Sequence, residues 1–368
     1  CCWFKFFIIL NVYVLFYIKF YYDLQNIMKY IITGGAGFIG SSIVRKLANS
    51  KNEVLVIDAL TYASNIDSIS DLTSKNKIDF KNINICNREP LEKVFNSFKP
   101  QRLVHLAAET HVDNSIINPD KFLKTNVLGT FELLRASLIY LEKNKLDQKN
   151  DFVFHHVSTD EVYGDLPHPD DDNYNKNNAG LLFTENTSYQ PSSPYSASKA
   201  ASDHLVRAWH KTYNLPITIS NCSNNYGPFQ HKEKLIPTVI INALNKNNIP
   251  VYGDGKQIRD WLYVDDHTEA ILKILEFGKI GETYNIGGRC EIRNIDLINI
   301  ICDSLDKKLK INNFKHSSLI KHVEDRKGHD KRYAIDPHKI ESELNWKVKE
   351  TIKSGLDKTI EFYLQSHK

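Results

Sequence analysis

From residue 28 onward, short apolar runs alternate with longer stretches in which apolar residues recur every three or four positions. The short runs predict β-strands, and the longer stretches predict amphipathic helices between them. The predicted strands are Lys29–Thr33, Glu53–Asp58, Asp79–Asn84, Arg102–Leu106, Phe152–Ser158 and Pro216–Asn221. The predicted helices include Ile39–Asn49, Leu91–Phe98, Thr125–Glu142 and Tyr195–Tyr213. This alternation is typical of an α/β fold built on a doubly wound parallel sheet.

The pattern changes after about residue 222, where the alternation weakens and the connections become longer. We therefore expect two units: a nucleotide-binding domain over 28–221, and a smaller C-terminal lobe, mainly over 222–368, that covers the substrate. In this interpretation, segments from one range can contribute to the other lobe. Residues 167–186 are polar and rich in turn-forming residues, which predicts a surface loop. In such folds ligands bind at the carboxyl ends of the strands.

Residues 1–27 have a different character, since they are rich in aromatic and apolar residues. A membrane anchor needs about 20 apolar residues, which this segment nearly supplies. A secretory signal needs a small-residue cleavage site, and none is visible. The chain's single methionine, Met28, directly precedes the first predicted strand. We therefore interpret 1–27 as an extension outside the fold and expect no membrane association, with a real anchor as the alternative.

Composition excludes several classes of function. The 368 residues include 47 Lys and Arg against 44 Asp and Glu, a formal net charge of +3, and the basic residues are scattered. This balance does not predict nucleic-acid binding. Six cysteines lack CxxC spacing, and the 14 histidines form no HExxH pattern. The sequence therefore predicts a cytoplasmic protein with reduced thiols and no metal site.

A glycine motif, TGGAGFIG, follows the first predicted strand and opens the first helix, with glycines at Gly34, Gly37 and Gly40. Glycine allows the tight turn and lets a pyrophosphate approach the N–H groups at a helix N-terminus. Asp58 ends the next predicted strand, where a carboxylate accepts hydrogen bonds from ribose hydroxyls and repels a 2′-phosphate. The sequence therefore predicts a Rossmann-type domain that binds NAD rather than NADP.

Two further groups of residues predict the chemistry. Tyr195 and Lys199 share one face of a helix, so a nearby ammonium can stabilise a phenolate. Thr159, Asp160 and Glu161 follow the fifth predicted strand. Oxidation of a sugar hydroxyl needs a tyrosine, a lysine and an orienting hydroxyl group. Two added carboxyl groups provide the acid and the base that an elimination requires.

The glycine motif, the strand end and the YxxxK pair together resemble the extended branch of the short-chain dehydrogenase/reductase superfamily. From Met28 nearly to the C-terminus, the chain is similar to the dTDP-glucose 4,6-dehydratase family. The stretches that carry this resemblance include MKYIITGGAGFIGSSIV, LVHLAAETHVDNSI, HHVSTDEVYGDL, SSPYSASKAASDHLVRAW, NCSNNYGP and QIRDWLYVDDH. The resemblance implies an NAD-dependent lyase that removes water from a hexose through a 4-keto intermediate.

The resemblance also implies a role for each catalytic residue. Tyr195 takes the C4 hydroxyl proton, Glu161 takes the C5 proton, and Asp160 protonates the leaving C6 hydroxyl. Lys199 holds the NAD ribose and tunes Tyr195, and Thr159 positions the sugar. A homodimer is implied as well, together with a pathway that usually leads to dTDP-L-rhamnose.

Binding residues follow from the same resemblance. The implied NAD contacts are Gly34, Gly37, Phe38, Ile39, Gly40, Asp58, Thr61, Asn84, Ile85, Leu106, Ala107, Ala108, Thr125, Tyr195, Lys199 and Asn225. The implied contacts to the nucleotide sugar are Thr110, Thr159, Asn224, Lys234, Leu235, Tyr252, Arg259, Asn294, Arg326 and His329. The chain departs from the family pattern at Asn84, Asn114, His231, Lys232 and Lys327. These departures bear on adenine binding and on the shape of the nucleotide loop, and they leave the catalytic residues intact.

Three alternatives remain open. A UDP-glucose 4,6-dehydratase shares the STDEVYG stretch, so the sequence specifies the dehydration reaction better than it specifies the nucleotide base of the substrate. A nucleotide-sugar 4-epimerase shares the fold, NAD, the tyrosine and the lysine, but it needs no acid and base for elimination. A non-catalytic NAD-binding regulator could lose the tyrosine or the carboxyl groups, and this chain has kept them.

Overall fold

The computed structural model describes residues 27–146, 151–172, 174–175, 180–310 and 313–366. The predicted N-terminal extension therefore lies outside the described residues, apart from Ile27. Within the described ranges, no helix is long and apolar enough to cross a membrane.

A seven-stranded parallel sheet forms the centre of the molecule, with the strand order β10-β6-β5-β4-β1-β2-β3. Its strands are Lys29–Thr33 (β1), Glu53–Asp58 (β2), Asp79–Asn82 (β3), Arg102–His105 (β4), Val153–Thr159 (β5), Ile217–Cys222 (β6) and Thr283–Ile286 (β10). The six strands predicted from the sequence are confirmed, with ends that differ by at most two residues. Helices cover both faces of this sheet, which explains why the central strands are continuous apolar runs.

The shorter strands form two small sheets, with the orders β11-β9-β7 and β12-β8. They are Asn224–Tyr226 (β7), Ile249–Tyr252 (β8), Ile258–Tyr263 (β9), Glu291–Arg293 (β11) and Ile320–Val323 (β12). The helices are Phe38–Ala48 (α1), Ser70–Ser74 (α2), Arg88–Phe98 (α3), Val112–Ile117 (α4), Pro119–Phe122 (α5), Thr130–Asn144 (α6), Pro194–Tyr213 (α7), Leu235–Leu244 (α8), Val264–Phe277 (α9), Asn294–Leu309 (α10), His338–Leu344 (α11) and Ile352–Ser366 (α12). Short 3₁₀ turns occur at Ile66–Ser68, Asp160–Tyr163 and His316–Leu319.

The helix predicted over Thr125–Glu142 differs from the observed structure at its start. A π-helical turn spans Leu123–Gly129 and leads directly into α6. The Asn126 side chain binds both the N–H and the C=O of Glu109, at 2.8 and 3.1 Å. This tie to a neighbouring loop is a long-range contact, so helical periodicity alone could not predict the wider turn.

Residues after 222 contribute to both layers of the molecule. Strand β10 pairs with β6 and completes the central sheet, and α9 packs on α1. Ile271 and Tyr284 therefore share a hydrophobic core with Ile32 and Ile43 of the N-terminal half. A separate core, which includes Tyr226, Ile240 and Leu297, holds the C-terminal lobe together. A cleft opens between the two lobes, at the carboxyl ends of the central strands.

Candidate active site

The cleft is lined by residues from both halves of the chain. It includes every residue expected to contact NAD, together with the three residues at the end of β5. These are Gly34, Gly37, Phe38, Ile39, Gly40, Asp58, Thr61, Asn84, Ile85, Leu106, Ala107, Ala108, Thr125, Thr159, Asp160, Glu161, Tyr195, Lys199 and Asn225. The structure thus brings the glycine motif, the end of β5 and the YxxxK pair, which are far apart in the chain, to one cavity.

The glycine loop approaches its neighbours too closely for side chains. Gly34 has a positive φ of 71°, and a Cβ there would lie 2.7 Å from the Ala107 nitrogen. A Cβ on Gly40 would lie 2.2 Å from the Gly34 carbonyl oxygen. Gly37 precedes α1 and has no capping side chain, so the helix N-terminus is open to the cleft. Such a terminus can bind a pyrophosphate through its free N–H groups, which fits NAD.

Asp58 is buried behind the glycine loop and organises it. Its carboxylate accepts hydrogen bonds from the backbone N–H groups of Ala36 (3.0 Å) and Leu60 (2.8 Å), and from the Ser64 hydroxyl (2.7 Å). The same carboxyl group lines the cleft, where it can meet a ribose. Asp58 therefore has a structural role in addition to the ribose contact expected from the sequence.

We expect Asp58→Asn to weaken NAD binding at least about tenfold, because an amide oxygen cannot replace two carboxylate oxygens that accept three hydrogen bonds. Loss of the charge also removes repulsion of a 2′-phosphate, so the preference for NAD over NADP should fall. Titration of both cofactors by calorimetry measures these effects. Exposed Asp67, in the nearby 3₁₀ turn, provides the control Asp67→Asn. An unchanged NAD to NADP ratio in Asp58→Asn would contradict this role.

The predicted catalytic residues lie on the end of β5 and on the first turns of α7. Thr159 caps the turn that follows β5, since its hydroxyl accepts a hydrogen bond from the Glu161 N–H and donates one to Asp160, both at 3.3 Å. Helix α7 starts with a capping box between Ser193 and Ser196. This cap fixes the helix start, so Tyr195 faces the strand end from the first turn of α7.

The two carboxyl groups have different electrostatic surroundings. Asp160 is 1% exposed, and one of its oxygens has no hydrogen-bond partner among the described residues. Burial, followed by the neighbouring Glu161 and Asp260, raises the pKa of Asp160 well above its usual value. Burial also raises the pKa of Glu161, but three cations oppose that shift: Lys234, Arg259 and Arg326. Asp160 is therefore suited to hold a proton, and Glu161 to accept one.

Tyr195 and Lys199 interact less directly than the YxxxK spacing suggested. The Lys199 ammonium donates to the Val157 carbonyl at 2.8 Å. Burial raises the pKa of Tyr195 well above its usual value, and Glu161 adds to the shift, while a hydrogen bond with Thr159 opposes it. Burial and the neighbouring carboxyl groups therefore oppose the lowered pKa that we expected from Lys199.

Of the residues expected to contact the nucleotide sugar, Thr110, Asn224 and Lys234 line the cleft together with Thr159. The Lys234 ammonium donates to the Thr110 carbonyl at 2.9 Å, and one buried oxygen of Asn224 lacks a partner in the described part of the chain. The other expected contacts are not among the described residues that line this cavity. They are Leu235, Tyr252, Arg259, Asn294, Arg326 and His329.

These remaining residues belong to the C-terminal lobe, where two arginines are held rigidly. Arg326 forms a bidentate pair with Asp113 and lies 5.1 Å from the centre of the Tyr252 ring. Arg259 donates to the Ile258 and Asp330 carbonyls, both at 2.8 Å. Both guanidinium groups lower the pKa of Glu161, so their positive potential reaches the catalytic carboxyl pair.

Three of the departures from the family pattern, Asn84, Asn114 and His231, have local partners. The Asn84 side chain accepts a hydrogen bond from the Cys86 N–H at 2.9 Å and so closes a turn. Asn114 hydrogen-bonds Tyr62, whose ring meets that of His231 edge to face at 5.8 Å. His231 also lies 3.5 Å from Glu233. Asn114, Tyr62, His231 and Glu233 therefore form one chain of contacts, separate from the turn at Asn84.

Several cleft residues were not expected from the sequence, among them Ser64, Cys222, Gln230 and Glu233. Ser64 follows Asp58 within the DALTYASN stretch, and this proximity was the available signal. The others reach the cleft through tertiary packing. Across the described ranges, no three His, Cys, Asp or Glu side chains are placed to hold a metal ion.

Comparison with known proteins gives consistent results. The profile of the GDP-mannose 4,6 dehydratase family matches residues 31–359. A dTDP-glucose 4,6-dehydratase of Salmonella typhimurium is 53% identical over 340 residues, which cover 92% of this chain and 93% of that protein. A dTDP-glucose 4,6-dehydratase of Streptomyces venezuelae, crystallised with NAD, has a TM-score of 0.81 at 38% identity, covering 92% and 98% of the two chains. A UDP-glucose 4-epimerase of Thermotoga maritima has a TM-score of 0.78 at 26% identity, covering 93% and 100%.

Proposed function

The chain belongs to the GDP-mannose 4,6 dehydratase family, among its dTDP-glucose 4,6-dehydratases, and we propose that it converts dTDP-glucose to dTDP-4-keto-6-deoxyglucose and water. The observation that carries this proposal is the carboxyl pair at the end of β5. Asp160 and Glu161 lie beside Tyr195 in one cleft; three cations favour ionisation of Glu161, whereas Arg259 is the one of them that acts on the more strongly shifted Asp160. A 4-epimerase uses the tyrosine and the lysine but has no step that requires such a pair.

NAD supplies the hydride acceptor and donor when it is bound, and the glycine loop, Asp58 and Lys199 are the residues that would hold it. The protein's own groups move the protons. Tyr195 accepts the proton of the C4 hydroxyl, with Thr159 holding the sugar through its hydroxyl group. Glu161 then removes the proton on C5, which the C4 ketone has made acidic. Asp160 gives its proton to the C6 hydroxyl, which leaves as water, and the proton held by Glu161 can return to C5 when the hydride is returned to C6.

Cations of the C-terminal lobe support the choice of a nucleotide diphosphate sugar as the substrate. A pyrophosphate carries negative charge that lysine and arginine side chains can bind. Lys234 lines the cleft, and Arg259 and Arg326 lie close enough to affect Glu161. These three residues would hold the nucleotide end while the sugar lies against Thr159 and Tyr195.

Assembly and location are parts of the same proposal. Ile117, Leu123 and Leu128 are exposed apolar side chains within one short segment that leads into α6. A second copy of the chain could cover them, so we propose a homodimer that involves α6 and α7.

The described cysteines, Cys86, Cys222, Cys290 and Cys302, are free, which supports a reducing cytoplasmic location. We further propose that the product enters dTDP-L-rhamnose synthesis.

Incubation of the purified protein with dTDP-glucose and, separately, with UDP-glucose tests the function. We expect dTDP-glucose to lose 18 Da, the mass of one water, without added reductant and without net NADH accumulation, because the hydride returns to the sugar. Mass spectrometry of each product and absorbance at 340 nm are the measurements. Equal turnover of UDP-glucose would support the dehydration reaction but would contradict the assignment of thymine as the preferred nucleotide base. Release of NADH in step with product would replace the lyase with a simple dehydrogenase.

A further inference from the structure

A fully buried carboxylate, that of Asp203, lies between α7 and the central sheet. One of its oxygens accepts a hydrogen bond from His156 at 3.0 Å. The other accepts from the hydroxyls of Ser158 (2.8 Å) and Tyr189 (2.9 Å), with the Asn221 amide at 3.5 Å. A buried anion that collects this many donors costs free energy to desolvate, so it needs a reason beyond packing.

The position of Asp203 along α7 suggests that reason. Tyr195, Lys199 and Asp203 follow one another at four-residue intervals and therefore share one face of the helix. Lys199 holds the Val157 carbonyl, while Asp203 holds the side chains on either side of it, those of His156 and Ser158. Together they fix three consecutive residues of β5, directly before the turn that carries Thr159, Asp160 and Glu161.

Charge gives Asp203 a second effect. Burial lowers the pKa of Lys199, and among the groups that oppose this shift Asp203 is the largest. Burial also acts to raise the pKa of Asp203, but the hydrogen bond from His156 and the cations Lys199 and Arg207 outweigh it and hold that pKa below its usual value. Burial lowers the pKa of His156 to about 4, so the histidine is neutral at neutral pH.

We propose that Asp203 is a positioning residue for the reaction assigned above: it holds α7 in register with β5 and supplies a buried counter-charge for Lys199. The proposal rests on the proposed function, because it assigns Lys199 and Tyr195 to the oxidation step. Asp203 acts only through these neighbours, since it does not line the cleft.

Other titratable groups face this pair from each element packed around it. They are His105 of β4, His156 of β5, Tyr163 of the turn after β5, Tyr189 of the segment before α7, Tyr195 and Arg207 of α7, and Cys222 of β6. Burial lowers the pKa of both histidines and raises those of the cysteine and the tyrosines, so all of these are neutral at neutral pH. Among these groups Arg207 then remains the charged one, and it acts on Asp203.

The test is the pH dependence of bound NADH formation, followed by stopped-flow absorbance with dTDP-glucose and the NAD-loaded enzyme. In Asp203→Asn the ammonium loses its counter-charge, so the pKa of Lys199 falls and the alkaline limb should move to lower pH. Beyond the new limb the rate should fall about tenfold for each added pH unit, as for any single titration. Tyr189→Phe removes one hydrogen bond to Asp203 but keeps the negative charge of Asp203. The alkaline limb of the pH profile of this variant should therefore coincide with that of the wild type.

Arg207→Met provides a second variant with the opposite expected sign. Removal of this cation, which faces Asp203 one turn further along α7, should raise the pKa of Lys199 and move the limb to higher pH. An Asp203→Asn limb that coincides with the wild-type limb overturns the proposal. If Asp203→Asn does not fold, which thermal unfolding will show, an Arg207→Met limb that stays in place or moves to lower pH overturns it.

The two proposals fail in different ways. A wild-type enzyme that forms bound NADH but releases no dehydrated product disproves the proposed function, while the limb of the oxidation step still tests Asp203. A wild-type enzyme that dehydrates dTDP-glucose, with no shift of the limb in either variant, disproves only the role of Asp203.

Discussion

Tyr195→Phe is expected to eliminate bound NADH formation with dTDP-glucose, because no other side chain is assigned to take the C4 hydroxyl proton. The loss of one positioned acid or base typically costs about 10²–10⁴ in rate. The phenol is buried and bonds the Thr159 hydroxyl, so phenylalanine fits the site and removes only the oxygen. Single-turnover absorbance at 340 nm measures the step, and NAD titration shows whether the cofactor still binds.

A matched control for this variant is Tyr163→Phe. Tyr163 lies on the turn after β5 and is also buried, but its hydroxyl donates to Asn285 and does not line the cleft. Its removal should leave the oxidation rate within a few-fold of wild type. Bound NADH at a near-normal rate in Tyr195→Phe would mean that Thr159 or a water takes the proton instead.

The pH profile of the oxidation step follows from the same surroundings. Burial and the carboxyl groups raise the pKa of Tyr195, so the phenol holds its proton at neutral pH until a cation in the cleft opposes them. The oxidised nicotinamide ring is such a cation when NAD is bound. We therefore expect Glu161→Gln, which removes one of those negative charges, to lower the pKa of Tyr195 and to move the acid limb of this step to lower pH.

Local sequence signals predicted much of the fold and the site. The glycine motif was predictable because it forms a single local turn. The positive φ at Gly34 and the lack of space for a Cβ at Gly40 explain why glycine is required there. Strands β1, β2 and β4 were predictable because burial on both faces leaves an apolar run. Tyr195 and Lys199 lie on one helix, so their shared face followed from helical geometry alone.

Contacts between distant segments were not predictable in this way. Asp203 resembles any polar helical residue in the sequence, and only the packing of α7 on β5 reveals its hydrogen bonds. The pairing of Arg326 with Asp113 joins residues 213 positions apart. The direction of the Tyr195 pKa shift also did not follow from the YxxxK spacing, because burial is its largest cause and Glu161, Cys222 and Asp160, which come from other elements, add to it.

The last prediction separates the roles of the two carboxyl groups. Glu161→Gln should still form bound NADH but should suppress exchange of the C5 proton with solvent deuterium, by about 10²–10⁴, since the base is missing. Asp160→Asn should oxidise C4 and exchange C5, and it should slow mainly the loss of the C6 hydroxyl. Absorbance of bound NADH, deuterium uptake by mass spectrometry and product mass report the three steps separately.

The pH dependence of dehydration gives an independent check on this assignment. Burial raises the pKa of Asp160 well above its usual value, so the acid keeps its proton to a higher pH than an exposed aspartic acid and loses it as the pH rises through the raised pKa. Wild-type dehydration should therefore fall on the alkaline side at a point that Asp160→Asn no longer shows, because an amide does not titrate. The three cations beside Glu161 keep it available as a base below that point. Near-normal deuterium uptake in Glu161→Gln would mean that another group removes the C5 proton. Different catalytic roles would then no longer explain the different electrostatic surroundings of these two carboxyl groups.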